Sequence, residues 1–338
     1  LDVEPYTLGQ FSSYDRSSVS PDDPKSWYAN KDQSQFLRTE EINGRTEDVM
    51  MDVEGPGAIV RWWITMAGPH VGRGTIRVYL DGETEPTLAG NVYDLISRQT
   101  LAPAPLSESL SPDAEEGRRG HNLYLPIPYA KSCKVTFERE AEGAFYYAIN
   151  YRTYGPDVAV ETFTLDQLAD QRPAVEALAQ RLTQGAVTDL DDTQAHEAAA
   201  RLLAPGEETS RDLTGPAAIR KLSLRLGADD HNQALRSTVL KIDFDGERSV
   251  WVPVGEFFGI GYRITPHRSV VTQSDSQGTM SATWIMPFEA SAEITLINHG
   301  DQSVDVTAFT AHVGPWDWDE RSLRFHATWF ELRHVQTE

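Results

Sequence analysis

Three short motifs occur twice in this chain, in the same order and at nearly the same interval. Gly55-Pro56-Gly57-Ala58-Ile59 returns as Gly215-Pro216-Ala217-Ala218-Ile219, an offset of 160. Asp81-Gly82-Glu83 returns as Asp245-Gly246-Glu247, an offset of 164, and Pro128-Tyr129-Ala130-Lys131-Ser132 as Pro287-Phe288-Glu289-Ala290-Ser291, an offset of 159. A period this long marks a duplicated domain and not a solenoid. The flanking residues alternate in the same phase. Ile76, Val78 and Leu80 precede the first Asp-Gly-Glu, and Leu240, Ile242 and Phe244 the second. Cys133, Val135 and Phe137 follow the first proline motif, and Ala292, Ile294 and Leu296 the second. Trp62, Ile64 and Met66 follow the first Gly-Pro, and Leu222, Leu224 and Leu226 the second. Period-two alternation means strands with one buried face. A slip of one residue would turn each apolar row to solvent. Asp-Gly is a tight-turn signal between strands.

The expected fold is all-β: tandem jelly-roll β-sandwiches with a helical connector. Residues 1–157 form the first sandwich, 158–210 the connector and 211–338 the second sandwich, which reads as cut short on its C-terminal side. In the connector, Val175, Leu178, Ala179 and Leu182 have helical spacing and Gly185 supplies a stop. An alanine-rich stretch, Thr193 to Leu203, reads as a second helix before Pro205-Gly206. A length of 338 residues agrees with two cores.

Composition excludes some functions. The net charge of −21 leaves no basic footprint for nucleic acid and disfavours an anionic membrane surface. No apolar run is long enough for membrane insertion. The lone Cys133 excludes an intrachain disulfide, and its place on an apolar strand face reads as a buried thiol, with a nucleophile as the alternative. With no disulfide to read, the compartment is open, with a periplasmic or secreted location favoured over the cytoplasm. Opening on Leu1 and not Met, the chain reads as processed, trimmed or a fragment. The histidines show no metal-ligand spacing, and there is neither a Gly-x-Ser-x-Gly elbow nor a dinucleotide or phosphate loop. Neither a metal nor a cofactor is expected.

Carboxylates and aromatic residues remain. Asp81, Glu83, Asp245 and Glu247 recur at a turn, so they read as turn chemistry. Glu256 sits in Val252-Pro253-Val254-Gly255-Glu256-Phe257-Phe258-Gly259, an apolar setting of the kind that raises a carboxyl pKa. It is the weak catalytic candidate; the alternative is a carboxylate satisfied by backbone N–H groups in a bend. Pro315-Trp316-Asp317-Trp318-Asp319-Glu320 joins indoles to acids, as sugar sites do, or is a loop anchored by tryptophan. Phe11-Ser12-Ser13-Tyr14-Asp15-Arg16 precedes any clear strand. Its Tyr-Asp-Arg cluster suits several hydroxyls of one ligand, or is an Asp–Arg pair pinning the terminus.

Together these segments resemble domain of unknown function 2961, also classified as glycoside hydrolase family 172. Ser12-Ser13-Tyr14-Asp15-Arg16 and Gly55-Pro56-Gly57-Ala58-Ile59 with Arg61, Trp63 and Thr65 resemble the family's opening. Tyr79-Leu80-Asp81-Gly82-Glu83, Leu125-Pro126-Ile127-Pro128-Tyr129-Ala130-Lys131-Ser132 and Tyr147-Ala148-Ile149-Asn150-Tyr151-Arg152 continue it. In the second half, Pro253 to Gly259, Trp284-Ile285-Met286-Pro287-Phe288 and Arg324-Phe325-His326-Ala327 fit. The resemblance implies a jelly roll, a homotrimer or multiple of trimers, and retaining hydrolysis of α-D-furanosides by two carboxylates. The implied substrates are fructofuranosides, difructose anhydrides or D-arabinofuranosides, as oligosaccharide or polysaccharide. It implies substrate binding by Tyr14, Asp15, Arg16 and Trp63. The family's catalytic glutamates lie in a Trp-Gly-Glu-Gly-Asp-Glu segment and a following Gly-Thr-Gly-Thr-Glu-Asp segment. Neither occurs in these 338 residues. Three expectations follow: a furanosidase whose catalytic residues come from further polypeptide or a second chain, a non-catalytic carbohydrate-binding protein, or an assembly-forming jelly roll.

Overall fold

A computed structural model describes residues 4–68, 71–109, 120–185 and 190–335. They form two compact units, one reaching Gln180 and the other spanning Arg181–Val335. The first unit begins with β1 (Tyr6–Ser12), α1 (Pro24–Trp27), β2 (Arg38–Ile42), β3 (Arg45–Glu54) and β4 (Gly57–Ala67). It continues with β5 (Thr75–Leu80), β6 (Leu88–Asn91), α2 (Val92–Ser97), β7 (Ser107–Ser109) and β8 (His121–Leu123). β9 (Ile127–Tyr129), β10 (Ser132–Glu138) and β11 (Ala144–Tyr154) complete its strands, followed by α3 (Leu165–Asp170) and α4 (Arg172–Gln184). One sheet runs β1-β11-β4-β8-β7, with β9 also on β4, and the other β2-β3-β10-β5-β6. The first strand pairs with the last, and the strands between interleave across two antiparallel sheets. This is jelly-roll order.

The second unit repeats it. Its elements are β12 (Gln194–Ala198), β13 (Arg201–Leu203), β14 (Glu208–Thr214), β15 (Ala217–Gly227), α5 (His231–Ser237), β16 (Thr238–Phe244) and β17 (Glu247–Pro253). Then come α6 (Val254–Phe257), β18 (His267–Arg268), β19 (Thr272–Ser274), β20 (Thr279–Ala282) and β21 (Met286–Phe288). β22 (Ser291–Asn298), β23 (Val304–Pro315) and β24 (Ala327–Thr328) end it. The sheets are β12-β23-β15-β20-β19-β18 and β14-β22-β16-β17-β24. Strand for strand, β12, β23, β15, β20 and β19 occupy the places of β1, β11, β4, β8 and β7. Likewise β14, β22, β16 and β17 match β3, β10, β5 and β6. The all-β tandem architecture expected from the alternation is the one present.

Every apolar residue of the alternating rows is buried, from Ile76 at 0% exposure to Met66 and Leu226 at 6%. Cys133 is fully buried among them, and burial pushes its thiol pKa up, away from the reactive thiolate. The three repeated motifs meet at one junction in each unit. The Gly-Pro strand pairs with the proline-motif strand, Ala58 opposite Pro128 and Ala218 opposite Pro287. Asp81 and Asp245 both adopt positive φ, 56° and 53°, as do the glycines that follow, so each hairpin turn is left-handed at both central positions. Asp81 Oδ1 accepts the N–H groups of Lys131 (2.6 Å) and Ser132 (3.2 Å). Asp245 Oδ1 accepts those of Ala290 (2.7 Å) and Ser291 (3.0 Å). The turn reading of these aspartates is therefore correct, and their carboxylates clamp the next strand.

The connector departs from expectation in its second half. α3 is held by a capping box between Thr164 and Gln167, and α4 ends at Gly185, φ 74°. The alanine-rich stretch is not helical. Gln194–Ala198 and Arg201–Leu203 are strands that pair antiparallel with β23. Alanine's helix preference is worth only tenths of a kcal/mol per residue, about the size that a sheet-edge ladder overrides. Among the described residues no helix is long and apolar enough to cross a membrane.

Candidate functional site

In the first unit, β4 alternates so that Trp62 is buried at 2% exposure and Trp63 faces out, half-buried. Register then places Trp63 in a row across the sheet. Ser12 pairs with Ala148, Ala148 with Trp63, Trp63 with Asn122, and Asn122 with Glu108. The methyl group of Ala148 is the only side chain standing between Ser12 and the indole in this row. On the other side the backbone of Gly120 is so close that a Cβ there would lie 2.5 Å from the indole Nε1. The next row adds Gln10, Asn150 and Arg61, joined through Asn150 Oδ1 accepting from Arg61 (3.1 Å) and Asn150 Nδ2 donating to Gln10 (3.0 Å). The face is thus one outward, half-buried indole in a field of amides, a guanidinium and a carboxylate.

The Tyr14-Asp15-Arg16 segment follows β1 directly, so a strand does precede it, contrary to the sequence reading. Ser13 turns inward and bonds the backbone of Tyr147 in both directions, which leaves Tyr14 outward at 53% exposure. Two strand spacings of about 4.8 Å separate β1 from β4, so the backbones of Ser12 and Trp63 stand roughly 10 Å apart, with Tyr14 two residues beyond Ser12. Arg16 lies over the Tyr14 ring, 5.1 Å from its centroid, and donates to the carbonyls of Ser12 (3.1 Å) and Tyr14 (3.3 Å).

Asp15 is different. It is buried at 7% exposure, and its oxygens accept from Ser17 Oγ (2.7 Å), Ser17 N (3.0 Å) and Lys31 N (2.9 Å). Those hydrogen bonds, Ser17's hydroxyl foremost, hold its carboxyl below the usual range. Its own N–H donates to Asp32 at 2.7 Å. The terminus is pinned, but by Asp15 with its loop and not by an Asp15–Arg16 pair.

Glu256 belongs to the second unit. Its apolar neighbours Val254, Phe257 and Phe258 point into the core, and Glu256 itself is exposed on α6. The enclosed setting expected around its carboxylate is not formed. The equivalent place in the first unit is α2, where Asp94 is likewise outside and pairs with Arg98 at 2.7 Å. In the Trp316 loop, Trp316 Nε1 donates to Ser322 Oγ (3.0 Å), and Arg324 lies 5.2 Å from the Trp318 ring centroid. Arg324 also pairs with the clamp residue Asp245 at 2.9 Å. These tryptophans anchor a loop.

Glu108, Asn122 and Gly120 escaped the sequence reading. Each lies in a strand of three residues or beside one, too short for alternation to register. Only the pairing of β7 and β8 onto β4 brings them to Trp63. Among the described residues no group of three or more His, Cys, Asp or Glu side chains is placed to hold a metal ion.

The comparisons with known proteins agree with this layout. Residues 4–171 match the GH172 first beta-sandwich domain, and residues 193–311 match a GH172 domain-like description. No curated protein matches the sequence. Among solved structures, the chain is similar to the major capsid protein P2 of bacteriophage PM2, at 9% identity and a TM-score of 0.26. That match covers 92% of this chain and 98% of the other. A conserved protein of unknown function from Pseudomonas aeruginosa PAO1 matches at 10% identity and a TM-score of 0.16, covering 82% and 95%. The PBCV-1 virus capsid matches at 7% identity and 0.19, covering 93% and 95%. TM-scores this low give those superpositions no functional weight. The two domain matches cover most of both sandwiches in the order the duplication requires, and the chain belongs to the GH172 family.

Proposed function

We propose that this chain is the sugar-holding part of a glycoside hydrolase-like protein acting on α-D-furanosides, either fructofuranosides or D-arabinofuranosides. The observation that carries this is the outward indole of Trp63, set in a polar row with Ala148 and Asn122 on either side. An aromatic face with hydrogen-bonding neighbours suits a ring that has one apolar side and a rim of hydroxyls. In this reading Trp63 and Tyr14 are the stacking surfaces and Arg16 is a donor at the edge. Asp15 shapes the loop that presents them. The chemistry is retaining, with one carboxylate attacking and one serving as acid then base. That pair comes from outside these residues, from further polypeptide or a second chain of a trimeric assembly.

A second reading is a carbohydrate-binding or assembly-forming protein that does not cleave. It is favoured by Asp15 being fully engaged with its own loop and by the solvated position of Glu256.

Calorimetric titration with inulobiose-type and α-D-arabinofuranosyl oligosaccharides separates the readings from a protein that binds no sugar. Trp63→Ala is expected to weaken binding about tenfold or more, equivalent to roughly 1.4 kcal/mol, with the melting temperature unchanged. Asp15→Ala is expected to lower the melting temperature as well as the affinity. Turnover of p-nitrophenyl α-D-arabinofuranoside by the full-length protein would establish the enzyme. Binding without turnover would establish non-catalytic carbohydrate binding, and no binding of either sugar would sink both sugar readings and leave assembly alone.

A further inference from the structure

The row that carries Trp63 in the first unit has an equivalent in the second, and its chemistry is reversed. Ser223 takes the place of Trp63 by the same offset of 160 that relates the Gly-Pro motifs. Ser223 pairs with Ser281, Ser281 with Gln273, and Gln273 with Arg268. Asn122 of the first unit thus corresponds to Ser281, and Glu108 to Gln273. The acid has become an amide, and a guanidinium has been added beyond it.

These residues line a hollow of ≈ 280 Å³ together with Lys221, one step along β15 from Ser223. Three observations single it out. Ser281, 5% exposed as a residue, borders the hollow, and its hydroxyl, bonded to no group among the described residues, opens onto it. A hydroxyl that opens onto a cavity can donate to an acceptor placed there. Second, neither Lys221 nor Arg268 forms an ion pair among the described residues, in a chain whose net charge is −21. Third, Asp275, the one carboxylate that lines the hollow, is tied to its own turn, its Oδ1 accepting the N–H groups of Gln277 (2.8 Å) and Thr279 (2.9 Å). His267 is likewise engaged, with Ser274 at 3.0 Å and Thr272 at 3.2 Å. The charge of Lys221 also reaches His312, its cross-strand partner, which burial first and Lys221 second hold below the ordinary histidine value.

We infer that this hollow is a second binding site, selective for a small oxyanion: a phosphate, sulfate or carboxylate group, free or carried on a sugar. Arg268 supplies the planar donor fork, Lys221 the point charge, and Ser281, Ser223 and Gln273 neutral donors. The inference stands apart from the furanoside reading, because it concerns another unit and an opposite charge.

The test is titration of the whole chain at constant ionic strength with inorganic phosphate, sulfate, a hexose 6-phosphate, a hexuronate and the uncharged hexose. Saturable binding of at least one oxyanion is expected in the millimolar range or tighter, with no binding of the uncharged hexose. Lys221→Gln and Arg268→Gln should each weaken it about tenfold, as loss of a charge-assisted hydrogen bond does, and Ser281→Ala by less. Trp63→Ala should leave it unchanged. Sugar esters binding more tightly than inorganic phosphate would identify the oxyanion as sugar-borne, and equal affinities would identify it as free. Absence of saturable binding into the high millimolar range would overturn the inference. So would binding that survives the Lys221→Gln, Arg268→Gln double variant while both proteins melt at the same temperature.

Discussion

Two buried polar side chains in the first unit sit in opposite circumstances. Tyr129 is fully buried, and its hydroxyl has no hydrogen-bond partner among the described residues; burial pushes its phenol pKa up. The duplication supplies the comparison, since the corresponding residue is Phe288, stacked on Phe244 at 6.1 Å. Tyr129→Phe is therefore expected to raise stability by about 1 kcal/mol, the cost of an unmet buried hydroxyl, seen as a few degrees in a thermal melt. A lower melting point would show that the hydroxyl is satisfied in solution. Glu47 is the contrary case. It is fully buried and accepts from Thr136 Oγ1 (2.6 Å), Arg45 Nε (2.9 Å) and Tyr79 Oη (3.0 Å), with Arg77 at 3.5 Å. Burial alone would raise its carboxyl, but these donors and charges outweigh it and hold it low. Glu47→Ala removes the acceptor of Thr136, Arg45 and Tyr79, leaves Arg77 with Glu138 alone (2.7 Å), and is expected to cost about 3 kcal/mol by denaturant titration.

The element that most defines each sandwich is the junction of the Asp-Gly turn with the strand after the proline motif. Asp245 holds three successive N–H groups, Glu289 through Ser291, and the Arg324 guanidinium. Burial works against its ionised form, but these donors prevail and bring its pKa to about 2, below the unfolded value of about 3.9. A depressed pKa gives stability that is fully present above the unfolded value and is lost as pH falls through the folded one. Asp245→Ala is expected to lower the melting temperature at pH 7, and the gap from wild type should narrow between about pH 4 and pH 2. A gap independent of pH would mean the carboxylate's charge contributes nothing. Asp81 makes the same grip in the first unit, with Thr162 added. This junction was legible as three motifs, though the sequence did not reveal that they touch.

Over the whole molecule, each unit has its own apolar core. In the second unit it runs from Leu203 through Phe244 and Phe288 to Val313. Separate cores of this size unfold as separate cooperative units. Val135→Ala in the first core and Ile294→Ala in the second, each fully buried, are expected to cost roughly 2–4 kcal/mol. In calorimetry each should shift a different transition; a single transition moved equally by both would contradict the division. The duplication also accounts for how two unlike faces arise on one plan. The row at Trp63 and the row at Ser223 share a register, and the side chains that differ between them stand on the sheet face away from the apolar core.

The sequence alone dictates the all-β class, the duplication and the buried face of every alternating strand. The reason is local: a period of two, a left-handed Asp-Gly turn and a proline at a strand start each act within a few residues. It misread Thr193–Leu203 as helix, because the edge of β23 that makes this stretch a strand lies more than 100 residues further along the chain. It singled out Tyr14, Asp15, Arg16 and Trp63, but not what each does. Tertiary structure turned Asp15 inward to its loop, set Trp63 in line with Asn122 and Glu108, and left Glu256 in solvent. It alone brought Lys221, Ser281 and Arg268 to one hollow, since register across four strands is a product of the whole fold and not of any segment.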